Sequence, residues 1–102
     1  MMYRVMKYEL LMTPGLMEIK MSEGAELLHI EVQNLRPPVQ NVRPMLWARV
    51  LLNARPVERL LRMVYTGLEW GTDDMPDEPW VGTFTLYDLV YHVFDMGEGK
   101  LT

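Results

Sequence analysis

Gly24-Ala-Glu-Leu-Leu-His-Ile-Glu-Val-Gln-Asn34 alternates strictly from Leu28 onward. Leu28, Ile30 and Val32 point one way and His29, Glu31 and Gln33 the other, as a strand with one buried and one wet face requires. A helical stripe through Ala25, Leu28, Val32 and Leu35 also exists. The β-branched Ile30 and Val32, with Gly24 before the run and Pro37-Pro38 after it, favour a strand.

The same period recurs on both sides. Tyr3 to Met12 places Met6, Tyr8, Leu10 and Met12 on one face and Lys7 and Glu9 on the other. Thr13-Pro14-Gly15 reads as a turn, and Leu16 to Met21 sends Met17, Ile19 and Met21 inward before the turn Ser22-Glu23-Gly24. Three strands joined by short turns predict an antiparallel meander. Residues 35–44 carry three prolines and predict an exposed loop, because proline donates nothing to a ladder. Met45 to Leu52 is apolar on both faces apart from Arg49, the pattern of a central strand or of one that also meets a partner.

Residues 56–65 are ambiguous. Val57, Leu60, Leu61 and Val64 make a helical stripe, whereas a strand places Leu61, Met63 and Tyr65 opposite Arg62 and Thr66. Residues 68–79 form an acidic loop with Asp73, Asp74, Asp77 and Glu78. Trp80 to Leu86 and Leu89 to Asp95 are aromatic and β-branched, and the Tyr87-Asp88 connection between them predicts a hairpin. A frayed tail is expected over 97–102. The expectation is one all-β domain over 1–102, an antiparallel sandwich or barrel of six to seven strands, with a short helix near 56–65 as the alternative there. Its expected core is Leu10, Ile19, Leu28, Ile30, Val32, Leu46, Val50, Phe84, Val93 and Phe94.

At 102 residues and 49% apolar composition, the chain is long enough for a single core and ordinary for a soluble protein. No apolar run approaches the roughly 20 residues of a membrane helix, and the start lacks a signal peptide's apolar segment, so a cytoplasmic protein is expected. The absence of cysteine removes disulfides, thiolate ligands and a cysteine nucleophile. Ten methionines give an adaptable core or surface and mark no cofactor.

The net charge of −4 is unevenly spread. Arg36, Arg43, Arg49, Arg55, Arg59 and Arg62 face only Glu58 within residues 35–62, whereas Lys100 alone opposes the carboxylates after residue 62. Overall acidity argues against non-specific nucleic-acid binding.

Catalytic patterns are missing. Ser22 lies in a charged turn without a nucleophile elbow, and no glycine run cradles a phosphate. His29 and His92 supply at most two metal ligands and read as hydrogen-bonded residues on a sheet face. The acidic loop lacks the spacing of a calcium loop. No catalytic residue, metal site or cofactor is expected, and a non-enzyme is the reading.

The arginines admit two accounts. In one they pair with the acidic last third. In the other Arg49, which shares a face with Trp47 and Leu51, and Arg62, which shares one with Leu60, Val64 and Thr66, meet beside the indole. Arg36 and Arg43 would then close over a stacked base and a phosphate. Met45, Trp47 and Leu51 lie opposite Leu46, Ala48 and Val50, and an apolar face without a home predicts an interface in a homo-oligomer, a symmetric dimer first.

Gly24-Ala-Glu-Leu-Leu-His-Ile-Glu-Val-Gln-Asn34, Leu46-Trp-Ala-Arg-Val50, Val81-Gly-Thr83 and Val90-Tyr-His-Val-Phe94 together resemble a small domain of unknown function common in tailed-phage and prophage genomes. Its pattern reads roughly GAEILHVQVQN, LWALV, GTGH, IGT and VWHVF, and the likeness covers about residues 7–96. Tyr65-Thr66-Gly67-Leu68 departs from the GTGH element, and Tyr91 stands where tryptophan is frequent. The resemblance implies a compact β-rich domain with residues 60–67 on a strand leading into a turn, and it carries no activity. It implies a phage origin, and together with the missing catalytic groups this leads to the expectation of a non-enzymatic accessory protein that binds a host factor, such as a defence component, in the host cytoplasm. The alternatives are a virion structural or assembly part, and a nucleotide sponge built on the arginines.

Overall fold

Seven strands make up most of the chain in the computed structural model, which describes residues 1–10, 15–34, 42–67 and 79–99. They are β1 (Tyr3–Glu9), β2 (Gly15–Ser22), β3 (Glu26–Asn34), β4 (Val42–Leu51), β5 (Pro56–Tyr65), β6 (Trp80–Leu86) and β7 (Leu89–Glu98). No helix occurs among the described residues. The strands form two antiparallel sheets packed as a sandwich, one in the order β1-β4-β3 and one in the order β2-β5-β7-β6.

The all-β sandwich is therefore as expected, but the first three strands are no meander. None of β1, β2 and β3 pairs with another of the three, because the turn at Ser22–Ala25 is a corner that carries the chain from one sheet to the other. The Ala25 N–H donates to the Ser22 carbonyl at 3.2 Å, and Gly24 adopts φ +79°, a left-handed value glycine takes without steric cost. A second corner at Leu52–Arg55, with Asn53 at φ 70°, returns the chain from β4 to β5. Among the described residues the tight hairpin is β6–β7, where Tyr87 and Asp88 both adopt positive φ as a two-residue connection demands.

Residues 56–65 form β5, so the helical alternative does not hold. Burial decides it: Leu61 and Met63 fill the core on alternate positions, which a helix stripe cannot supply. The strand leads into a turn at Thr66-Gly67, with Gly67 at φ +93°. The expected loop 35–44 is shorter at its far end, since Val42, Arg43 and Pro44 belong to β4. Pro44 is tolerated there because its ring nitrogen faces the place where β1 has ended; its carbonyl still accepts from the Leu10 N–H at 2.9 Å. Gly97 and Glu98, expected to fray, complete β7, and the Gly99 N–H donates to the Glu58 carbonyl at 3.0 Å.

Between the sheets lie Leu10, Met17, Met21, Ile30, Leu46, Ala48, Val50, Leu61, Met63, Phe84 and Val93, with Phe84 stacked on Tyr91 at 5.1 Å between centroids. Two expected core residues are elsewhere. Leu28 is the extra residue of a β-bulge between Leu27 and His29, which leaves it 43% exposed and turns Leu27 to the core instead. Phe94 lies on the outer face of the four-stranded sheet, alternate to the buried Val93.

Candidate functional site

Each sheet has one outer face, and the two differ in chemistry. On the three-stranded sheet, β1 contributes Tyr3, Val5, Lys7 and Glu9, β4 contributes Arg43, Met45, Trp47, Arg49 and Leu51, and β3 contributes Glu26, His29, Glu31 and Gln33. Nearly every charge has a neighbour. Arg43 pairs with Glu9 at 3.0 Å, Arg49 pairs with Glu26 and lies over the Tyr3 ring at 5.8 Å, and His29 Nε2 approaches Glu31 at 3.7 Å. Lys7 Nζ donates to Gln33 Oε1 at 2.9 Å, so these two side chains join β1 to β3 above β4.

Met45 is 5% exposed although it points away from the core. Met45 is therefore not exposed surface in the single chain, contrary to the expectation that placed it on an interface. Trp47 and Leu51 are half-buried, and the Trp47 ring lies 6.0 Å from that of His29.

The arginines do not converge either. Arg49 and Trp47 face outward from one sheet and Arg62 faces outward from the other, so the sandwich separates the two halves of the expected anion site. Arg43 is engaged by Glu9, and Arg36 with the acidic residues Asp73, Asp74, Asp77 and Glu78 lies outside the described residues. Pairing with the last third of the chain describes Arg59, whereas Arg43, Arg49 and Arg55 pair with Glu9, Glu26 and Glu23 from the first third.

On the four-stranded sheet the outer face is organised in rows across the strands. Leu16 of β2 opposes Arg62 of β5, Arg62 opposes Phe94 of β7, and Phe94 opposes Trp80 of β6. This Leu16–Arg62–Phe94–Trp80 row spans about 14 Å at the usual strand spacing. Trp80 is 60% exposed, and Arg62 Nε is buried without a hydrogen-bond acceptor among the described residues.

The next row holds Val64, His92 and Thr83. The Trp80 indole N–H donates to Thr83 Oγ1 at 3.0 Å, and Thr83 Oγ1 lies 3.0 Å from His92 Nδ1. His92 Nε2 lies 2.7 Å from Thr66 Oγ1, so each ring nitrogen has a threonine hydroxyl as its hydrogen-bond partner, the direction of each bond following the tautomer. Both nitrogens of His92 are thereby occupied, and the ring braces the indole rather than offering a base. Among the described residues no group of three His, Asp or Glu side chains is placed to hold a metal ion.

A third cluster closes one end of the sandwich. Arg59 Nε and Nη2 donate to Asp95 Oδ1 and Oδ2 at 2.9 and 2.6 Å, and Arg59 Nη1 donates to the Ala25 carbonyl at 2.7 Å. Burial pushes the Asp95 carboxyl up, but the Arg59 guanidinium and the Gly97 N–H together outweigh it and hold the acid below its ordinary value. The Gly24 N–H donates to Glu98 Oε2 at 2.6 Å, so β5 and β7 together grip the β2–β3 corner. Beside it is an open cleft of about 480 Å³ lined by Lys20, Arg55, Pro56, Val57, Glu58, Glu98 and Gly99. Its cations lie against carboxylates, Lys20 with Glu58 at 3.9 Å and Arg55 with Glu23, which marks a structural end rather than a ligand site.

Of the residues singled out in the sequence, Arg62 belongs to the apolar face and Arg43, Arg49 and Trp47 to the charged one. Trp80 was not singled out and Phe94 was assigned to the core, since a period of two does not say which face is the core. A search of curated proteins finds no match, and a search of solved structures finds none. A family model matches residues 1–101, which include all seven strands, and the chain belongs to that family, Domain of unknown function (DUF7352).

Proposed function

We propose that this chain is a small accessory protein of a tailed phage or prophage that binds a host protein through the outer face of its four-stranded sheet. The carrying observation is the Leu16–Arg62–Phe94–Trp80 row. Arginine and tryptophan are the residues most enriched where binding energy concentrates, and here they flank a phenylalanine on a flat, rigid surface. The charged face is satisfied within the molecule, so it has less to gain from a partner. The partner feature that fits is an apolar side chain beside a carboxylate, which a guanidinium on this face can receive. No chemical step is part of the reading, and interference with a host defence component in the host cytoplasm falls within it.

Capture from host lysate with the tagged protein tests this. Wild type retains a discrete host protein, Trp80→Ala and Arg62→Ala each lower its recovery at least tenfold, and Arg49→Ala on the opposite face leaves it unchanged. Abundant copies of the chain in purified virions, with no host protein captured, overturn the reading in favour of a structural part.

A further inference from the structure

β1 is an edge strand whose outward side pairs with no other strand among the described residues. The Leu10 N–H donates to Pro44 and the Met2 carbonyl accepts from Leu52, both at 2.9 Å. By the period of two, Met2, Arg4, Met6, Tyr8 and Leu10 turn their backbone groups to β4, and Tyr3, Val5, Lys7 and Glu9 present theirs to the outside. No described strand pairs with that side.

Edges of this kind are normally blunted by bulges, prolines or outward charges. The edges β3 and β6 each carry a register shift, and they approach each other where Gly82 meets Ile30. Neither β1 nor the edge β2 has a bulge or a proline, β1 pairing with β4 through seven uninterrupted positions and β2 with β5 through eight, but β2 keeps Glu18 and Lys20 exposed along its outer face. The guarding charges of β1 are drawn away, since Lys7 reaches across β4 to Gln33 and Glu9 is held by Arg43. Apart from the exposed Arg4, what remains is apolar, with Tyr3 58%, Val5 56% and Met6 37% exposed.

We propose that β1 pairs antiparallel with β1 of a second copy of this chain, about a two-fold axis through Met6, joining two three-stranded sheets into one of six strands. The strand is its own complement in that register. Tyr3 opposes Glu9 of the second copy and Val5 opposes Lys7 of the second copy, so all four outward residues exchange backbone hydrogen bonds and no like charges stand directly opposite. On the other face Met6 meets Met6 of the second copy, and Arg4 meets the ring of Tyr8 of the second copy. A register shifted to centre on Lys7 sets two ammonium groups against each other, and one centred on Val5 strands Glu9.

The axis is perpendicular to the sheet, so both Leu16–Arg62–Phe94–Trp80 rows of the dimer face the same side. The dimer edge lies on the other sheet from that row, so failure of either reading leaves the other standing. A single strand pair with a few apolar contacts is small by interface standards, and the dimer forms with Kd on the order of 10 µM.

Met6→Cys tests the register directly, because the chain has no cysteine. Non-hydrogen-bonded partners in an antiparallel pair have Cα atoms about 4.5 Å apart, within the roughly 4.4–6.8 Å a disulfide accepts. Mild oxidation links M6C into a covalent dimer and leaves R4C monomeric. Val5→Pro removes an outward N–H without touching the β4 ladder, and sedimentation of folded V5P shows the dimer lost. Wild type that stays monomeric at about ten times that Kd, or a link through Lys7→Cys in place of Met6→Cys, overturns the proposal. So does capture of another protein's strand by an otherwise monomeric chain, with V5P abolishing the capture.

Discussion

Gly82 of β6 lies close against Ile30 of β3, where the two sheets meet. A Cβ on residue 82 would lie 3.2 Å from Ile30 Cβ and 3.6 Å from its backbone nitrogen. Ile30 is buried and β-branched, so it has little room to yield. Gly82→Ala costs about 1–3 kcal/mol, read as a lower urea midpoint. Ile30→Val does not rescue it, because valine keeps the offending Cβ. Asp95 makes a second prediction. Its folded carboxyl titrates below the ordinary 3.8, so its pairing with Arg59 stabilises fully above that value and is lost as pH falls through the folded value. Asp95→Asn leaves Arg59 with only Glu98, at 3.9 Å, as a carboxylate partner and costs about 2–4 kcal/mol at neutral pH. Urea melts show that difference shrinking once the pH drops well below 3.8. Nothing near Arg59 in the sequence set it apart from the other arginines, because its partner stands 36 residues away.

The β6–β7 hairpin is the element most open to improvement. Tyr87 at φ 49° and Asp88 at φ 69° hold the left-handed conformations of a type I′ turn with residues that tolerate them poorly. Tyr87→Asn with Asp88→Gly stabilises by about 1 kcal/mol, seen as a Tm rise of several degrees, since the exposed Tyr87 ring gives up little burial. This hairpin and the alternation of every strand were legible in the sequence. Pairing was not, since Gly24 and Asn53 serve a corner between sheets as readily as a hairpin within one. The bulge at Leu28 was equally hidden: one inserted residue flips a side chain and leaves no mark in composition. The Arg62, Val64 and Thr66 face could be read once residues 56–65 were taken as a strand. Its continuation to Phe94 and Trp80 depends on the β5–β7 and β6–β7 registers, which local sequence does not encode.

As a whole the sandwich is held by three strands, β4, β5 and β7, each paired on both sides. Native-state hydrogen exchange finds the slowest amides among these and the fastest among the outward N–H groups of Tyr3, Val5, Lys7 and Glu9. Those four gain protection with rising protein concentration if β1 pairs with a second copy.

The two corners, at Ser22–Ala25 and Leu52–Arg55, also govern how the chain emerges from a ribosome. β1, β2 and β3 are made before any of their partners exists, and must wait for β4 and β5. The three-stranded sheet is complete by Leu51, yet its apolar side stays bare until β7 has been synthesised, almost half the chain later. Through that interval the nascent protein exposes Leu46, Ala48 and Val50 to the cell, and it depends on translation outrunning aggregation.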